Sequence, residues 1–211
     1  MDIYSKVILV PAILIAFAFH EFAHAFVADK LGDKTPRFEG RLTLNPMEHI
    51  DIMGFLMIIL IGFGWAKPVR TNPSAYKNYY RDDFLVSIAG PIGNFIVSLL
   101  FSIILGLYLG LFNQMIPVYI ANVLQDMIVT VISLNVGLGI FNLLPIPGFD
   151  GFNILKDIFK ERFYPFEEKI YKYNMIILIG AVYLARYIIP LPASIIMNGL
   201  SKIILIIVGI F

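Results

Sequence analysis

The sequence predicts a polytopic α-helical membrane protein with about five to six hydrophobic helical segments, a short re-entrant segment and a small β element. Three observations carry this expectation. Hydrophobic residues make up 59% of the 211 positions and charged residues only 15%, more apolar surface than a soluble domain of this length can hide. Runs such as 7–19, 95–112, 128–144 and 203–211 carry no charge, and several are long enough to cross a hydrocarbon layer of roughly 30 Å. The basic residues, finally, are gathered into two connecting regions and not spread along the chain.

The first segment, 7–27, passes into His20, Glu21 and His24 without a small-residue cleavage site, so it reads as a retained span and not as a secretory signal. Residues 37–46 alternate weakly and end in Asn45-Pro46, which predicts a short strand or hairpin. Its edge, at Arg41 to Leu44, is expected to clamp an extended peptide by β-augmentation. The apolar stretch 52–65 reaches only about 21 Å as a helix and contains Gly54, Gly62 and Gly64, so it predicts a re-entrant loop. Pro68, Asn72, Pro73 and Ser74 mark an irregular stretch before the spans 84–112 and 118–144. Segments near 172–189 and 191–211 follow, and Pro190 and Pro192 between them leave room for a broken or interfacial arrangement. With no internal repeat and no low-complexity tract, a single membrane-embedded domain over 1–211 is expected.

Charge placement tests the re-entrant reading. If 52–65 does not cross, Lys30, Lys34, Arg37, Arg41, Lys67, Arg70, Lys77 and Arg81 share one side with Lys156, Lys160, Arg162, Lys169 and Lys172. Only Lys6 and Arg186 then face the other side, a strong bias that makes the crowded side cytoplasmic. A cell-membrane location is expected. The net charge of +1 gives no reason to expect a nucleic-acid partner. The absence of cysteine excludes disulfides and thiolate zinc sites, so any metal is held by His, Asp or Glu.

His20-Glu21-Phe22-Ala23-His24 is an HExxH motif inside a helical run, and it takes two of the three histidines in the chain. Residues four apart share a helix face, so two imidazoles can hold one zinc ion with Glu21 beside them as general base. Ionisable groups in a lipid-facing span cost several kcal/mol, about enough to make function the default reading. A catalytic zinc needs a third protein ligand, and His49, Asp29, Asp33, Asp126 and Asp150 are the candidates. Asp150 stands in Asn142-Leu143-Leu144-Pro145-Ile146-Pro147-Gly148-Phe149-Asp150-Gly151, irregular backbone of the kind that lines a cavity. Capping of the helix that begins near Phe152 explains Asp150 equally well. In the re-entrant topology His20, His24 and Asp150 lie towards the same side, about 10 Å below the boundary for His20.

These residues resemble the site-2 protease family of intramembrane zinc metalloproteases, in particular compact prokaryotic members without added soluble domains. The resemblance runs from His20-His24 through Gly64-Trp65-Ala66-Lys67-Pro68-Val69, Asn72-Pro73 and Ala89-Gly90-Pro91 with Asn94, to Asn142-Gly151. It implies one zinc ion per chain held by His20, His24 and Asp150, Glu21 as general base, and transmembrane protein substrates cut within the bilayer. It also implies a hydrogen bond from Asn142 to the substrate backbone or the developing oxyanion. Phe149 and Gly148 depart from the family pattern, where Leu or Met and proline are usual, and neither position carries an inferred catalytic group. Ala89 to Asn94 reads as close helix packing through small residues. Two other classes fit buried His and Asp residues: an ion transporter or channel, and a catalytically silent module that binds transmembrane helices. Neither gives Glu21 a task as base.

Overall fold

The computed structural model describes residues 2–62, 64–112 and 115–211. Helix α1 (Ile3–Leu31) opens where the Asp2 carboxylate accepts from the Ser5 N–H and closes at Gly32, whose φ of 115° lies in the left-handed region. Short helices α2 (Thr35–Phe38), α3 (Pro46–His49) and α4 (Ile52–Ile61) lead to α5 (Tyr79–Leu107), which runs on as a single π-helical turn, Tyr108–Phe112. Then come α6 (Val118–Asn142), α7 (Asp150–Phe159), α8 (Tyr164–Tyr171), α9 (Asn174–Ile188) and α10 (Pro190–Val208).

Among the described residues four helices are long and apolar enough to cross a bilayer: α1, α5 with its π turn, α6 and α10. Segment 172–189 forms the shorter α9, and Ile189 keeps helical φ and ψ where it joins α10. Small residues set the spacing of the central helices. Ala12, Ala16, Ala25 and Ala28 have no exposed surface, so α1 lies close against α5 and α6. Beyond them, Leu105, Tyr108, Ile132, Val136 and Ile140 pack with Leu200 of α10. Ile92, Ile96, Leu100 and Ile104 of α5 remain exposed, which is the pattern of a helix whose outer face meets lipid.

The two ends of segment 50–66 lie against one another. Helix α4 has ten residues, about 15 Å or half the hydrocarbon thickness. The chain then comes back to pair Ala66 with Ile50 in an antiparallel bridge, and the Lys67 N–H donates to the His49 carbonyl at 2.9 Å. A Cβ at Gly54 or Gly64 would overlap the backbone of the other limb, so glycine is what lets the two limbs touch. The segment expected to be re-entrant, 52–65, thus contains a helix too short to cross, with its described limbs in contact; Phe63 lies outside the described residues.

The β element expected at 37–46 is not. Pro36 at the start of α2 favours a helical turn there, the Arg41 N–H closes back on the Pro36 carbonyl at 2.8 Å, and Gly40 takes a φ of 71°. These residues curl, and no edge runs from Arg41 to Leu44 for a substrate to pair with. Among the described residues the Ile50–Ala66 bridge is the one β pairing.

Helix α7 packs on α5, and its Phe152 is buried edge-to-face against Phe163 at 5.1 Å between ring centroids. One turn and a half further on, Asp157 is also buried and neither carboxylate oxygen has a hydrogen-bond partner. Burial, and then the neighbouring Asp83 charge on α5, push its pKa up to about 7, with Lys156 opposing. Between the ordinary carboxylate value and about 7, the folded chain holds a proton that the unfolded chain has lost, so stability falls as pH rises through this window. Asp157→Asn is expected to flatten that dependence and to stabilise the protein above about pH 7, by on the order of 2 kcal/mol after allowing for solvent screening. Thermal unfolding in detergent micelles across pH checks this; a variant with the wild-type pH profile would show that Asp157 ionises freely.

Candidate metal centre

The HExxH residues lie on the face of α1 that meets α5, and all three side chains are buried. The two imidazoles stand edge-to-face with ring centroids 4.7 Å apart. Each is held through Nδ1, His20 by the Asn94 Oδ1 and His24 by the Val86 carbonyl, both at 2.7 Å. A carbonyl only accepts, so the His24 Nδ1 carries a hydrogen and its Nε2 is left with a lone pair in the neutral ring. The two Nε2 atoms face one another at 3.1 Å.

Asp150 reaches the same point from the first turn of α7. Its Oδ2 lies 3.3 Å from the His20 Nε2 and its Oδ1 lies 3.3 Å from the His24 Nε2. The helix cap is Phe149 and makes no side-chain hydrogen bond, so Asp150 does not serve as the N-cap. Three acceptors thus converge in a buried space with a carboxylate oxygen that has no hydrogen-bond partner. Such a cluster is self-repelling unless a cation or extra protons sit within it. Ligand atoms about 2.0 to 2.1 Å from a tetrahedral zinc ion are themselves roughly 3.3 Å apart, so the donor set fits the metal. Gly90 of α5 backs directly onto both rings, and a Cβ there would overlap the His24 Nε2; the glycine keeps the space open.

Glu21 accepts from the Val69 N–H through Oε2 at 2.7 Å. This hydrogen bond fastens segment 64–71 over the centre, and Trp65, Ala66, Pro68 and Val69 close one wall of a cavity of about 410 Å³ that also contains His20, His24 and Asp150. The segment is anchored again where the Arg41 guanidinium donates to the Lys67 carbonyl and where the Asn72 N–H donates to the Asp33 Oδ2. Asn142, at the end of α6, lines the cavity too, with its amide donating to the Leu138 carbonyl at 3.1 Å.

The other candidate ligands are engaged elsewhere. Asp29 makes a two-pronged ion pair with Arg37, Asp33 accepts from the Thr35 and Asn72 N–H groups, and Asp126 accepts from the Tyr4 hydroxyl. His49 is fully buried, donates from Nε2 to the Thr43 carbonyl, and has its pKa held below the ordinary value by burial. Three contributors escaped the sequence reading: Val86 and Val69, which act through backbone groups, and Asn94, assigned there to packing.

A helical membrane protein with this donor set, and with a second carboxylate beside it, is of the membrane-embedded metallohydrolase class. Comparison with known proteins makes the class specific. The profile described as Peptidase family M50 matches residues 8–125 and 113–185. The chain is 40% identical over 150 residues to the "Putative zinc metalloprotease YwhC" of Bacillus subtilis, covering 71% of this chain and 68% of that one. It is 31% identical over 158 residues to the "Putative zinc metalloprotease Rip2" of Mycolicibacterium smegmatis, and 31% over 155 residues to its namesake in Mycobacterium tuberculosis. Those two alignments cover 71% of this chain and 56% of each relative, so the chain spans just over half their length. No solved structure matches the chain. The chain belongs to peptidase family M50 and is an intramembrane zinc metalloprotease. The resemblance to site-2 proteases is borne out, and the transporter, channel and silent-module readings are not favoured.

Proposed function

We propose that His20, His24 and Asp150 hold one zinc ion, and that Glu21 is the general base for hydrolysis of peptide bonds in or near transmembrane segments of membrane proteins. The observation that carries this reading is the convergence of two Nε2 atoms and one carboxylate, each within 3.3 Å of the next, with Glu21 lining the same cavity. When bound, zinc supplies Lewis-acid polarisation of the scissile carbonyl and a more acidic attacking water. Glu21 takes the water proton and hands it to the leaving amine. Its hydrogen bond to the Val69 N–H fixes the direction in which the carboxylate points. Asn142 has amide capacity left beyond its bond to Leu138, and it offers that to the substrate backbone or the developing oxyanion. Residues 1–211 act as one membrane-embedded unit, in the cell membrane, with the centre towards the cytoplasmic side; the clustering of basic residues in 28–83 and 145–172 supports that orientation.

The test is metal analysis of the purified protein alongside cleavage of a transmembrane reporter. About one zinc per chain is expected, and its removal by a chelator is expected to abolish cleavage, with readdition restoring it. Well-folded protein that carries no zinc and takes none up would overturn the reading.

A further inference from the structure

Two fully buried asparagines, one on α5 and one on α6, are linked by hydrogen bonds to the metal centre. Asn94 of α5 and Asn135 of α6 have no exposed surface. Burying an amide inside a membrane domain is costly unless every donor and acceptor is matched, and an apolar residue of similar volume avoids the problem. Here the matching has a direction. The Asn135 Nδ2 donates to the Val131 carbonyl at 2.8 Å. The Asn94 Nδ2 donates to the Asn135 Oδ1 at 2.9 Å and to the Ala16 carbonyl at 3.2 Å. The Asn94 Oδ1 then faces the His20 Nδ1 at 2.7 Å.

Both backbone carbonyls can only accept, and this sets the orientation of each amide. A reversed Asn135 would set its oxygen against the Val131 carbonyl. A reversed Asn94 would set its oxygen against both the Ala16 carbonyl and the Asn135 oxygen. The oxygen presented to His20 is therefore an acceptor, and the ring must answer with a hydrogen on Nδ1. We propose that Asn94 and Asn135 are positioning residues, an amide relay of fixed polarity that holds neutral His20 as its Nδ1–H tautomer and so keeps the Nε2 lone pair aimed at the metal. His24 reaches the same state by a shorter route, through the Val86 carbonyl. The relay joins α1, α5 and α6, so its geometry also registers the three helices against one another. This inference rests on the metal-ligand reading of His20 given above.

The experiment uses the full chain in detergent micelles with 15N-labelled histidine, which gives a sparse spectrum because the chain has three histidines. The readouts are the ring nitrogen shifts of the metal-free protein, at a pH where the imidazoles are neutral, and zinc affinity by chelator competition. Wild type is expected to show His20 as a single Nδ1–H tautomer. Asn94→Leu removes the acceptor, and is expected to give a mixture of tautomers and zinc binding weaker by about 10- to 100-fold. Asn94→Asp keeps an acceptor towards the His20 Nδ1, while its second oxygen meets the Asn135 Oδ1 and the Ala16 carbonyl and must carry a proton to donate where the amide did; in that protonated form it is expected to retain the tautomer and come within a few-fold of wild-type affinity. Asn135→Leu releases the far end and is expected to loosen the tautomer preference, with a smaller loss of affinity.

A packing role predicts the reverse order, with the apolar leucine tolerated and the polar aspartate not. The proposal is overturned if Asn94→Leu keeps a pure Nδ1–H tautomer and wild-type affinity, or if Asn94→Asp loses both. Should the leucine variant not fold, the Asp variant and Asn135→Leu decide alone. Wild type that binds no zinc would overturn the metal-ligand reading, while the tautomer of the metal-free ring still scores the relay.

Discussion

Glu21→Gln is expected to lower the rate of peptide cleavage by about 10²- to 10⁴-fold while leaving one zinc bound per chain. The amide has the shape of the carboxylate and its oxygen can still accept from the Val69 N–H, so the wall of the cavity stays where it is. What it lacks is a lone pair basic enough to take a proton from water. Glu21 is next to His20 in sequence yet is absent from the set of three converging ligand atoms, so its removal takes away proton transfer and no coordination. Cleavage of a reporter in proteoliposomes, measured with zinc content on the same preparation, separates the two. Undiminished cleavage would remove Glu21 from the mechanism.

Asp150→Ala is expected to weaken zinc binding by roughly 10²- to 10³-fold, since a structural zinc site of four ligands is worth about 10 to 16 kcal/mol and each ligand carries a share near 3 kcal/mol or more. The side chain makes no capping bond in α7, so the helix loses no hydrogen bond with it. The two histidines, still four apart on α1, remain as a weak two-ligand site. His49→Ala is the control: its Nε2 is engaged by the Thr43 carbonyl and it lies outside the converging His20, His24 and Asp150, and zinc affinity should not move. Undiminished affinity in Asp150→Ala would send the search for the third ligand elsewhere. Cleavage should fall with zinc occupancy in this variant, in contrast to Glu21→Gln, where the two part company.

How far the site could be read from sequence follows from how its parts are linked. His20, Glu21 and His24 are legible because helix geometry alone puts them together, with no need to know the fold. Asp150 is 126 residues beyond His24 in the numbering, and spacing says nothing about such a pair; family resemblance and the charge-based topology singled it out from Asp29, Asp33, Asp126 and His49. The shortness of α4 and the close contact of its flanks were visible in the length and glycines of 52–65, which is too short to cross as a helix. The strand at 37–46 was misread because its weak alternation was given more weight than Pro36 and Gly40, which turn the chain. Val69 and Val86 were out of reach, since a backbone N–H or carbonyl has no sequence signature. Asn94 was visible as a residue, but its task depends on α1 and α6 lying within hydrogen-bond distance, which only the assembled helices reveal.

The cavity beside the centre carries a consequence for supply. Hydrolysis needs two reactants, and one of them is scarce in hydrocarbon. A space of about 410 Å³ has room for on the order of ten water molecules, next to a bundle whose outer helices present Ile and Leu to lipid. A substrate that reaches the centre sideways through the bilayer would bring no water with it, so the attacking water would have to be held in this cavity. Each turnover would then consume one molecule, refilling would be a step with its own rate, and a side chain that narrows the cavity is expected to slow cleavage without touching His20, Glu21, His24 or Asp150.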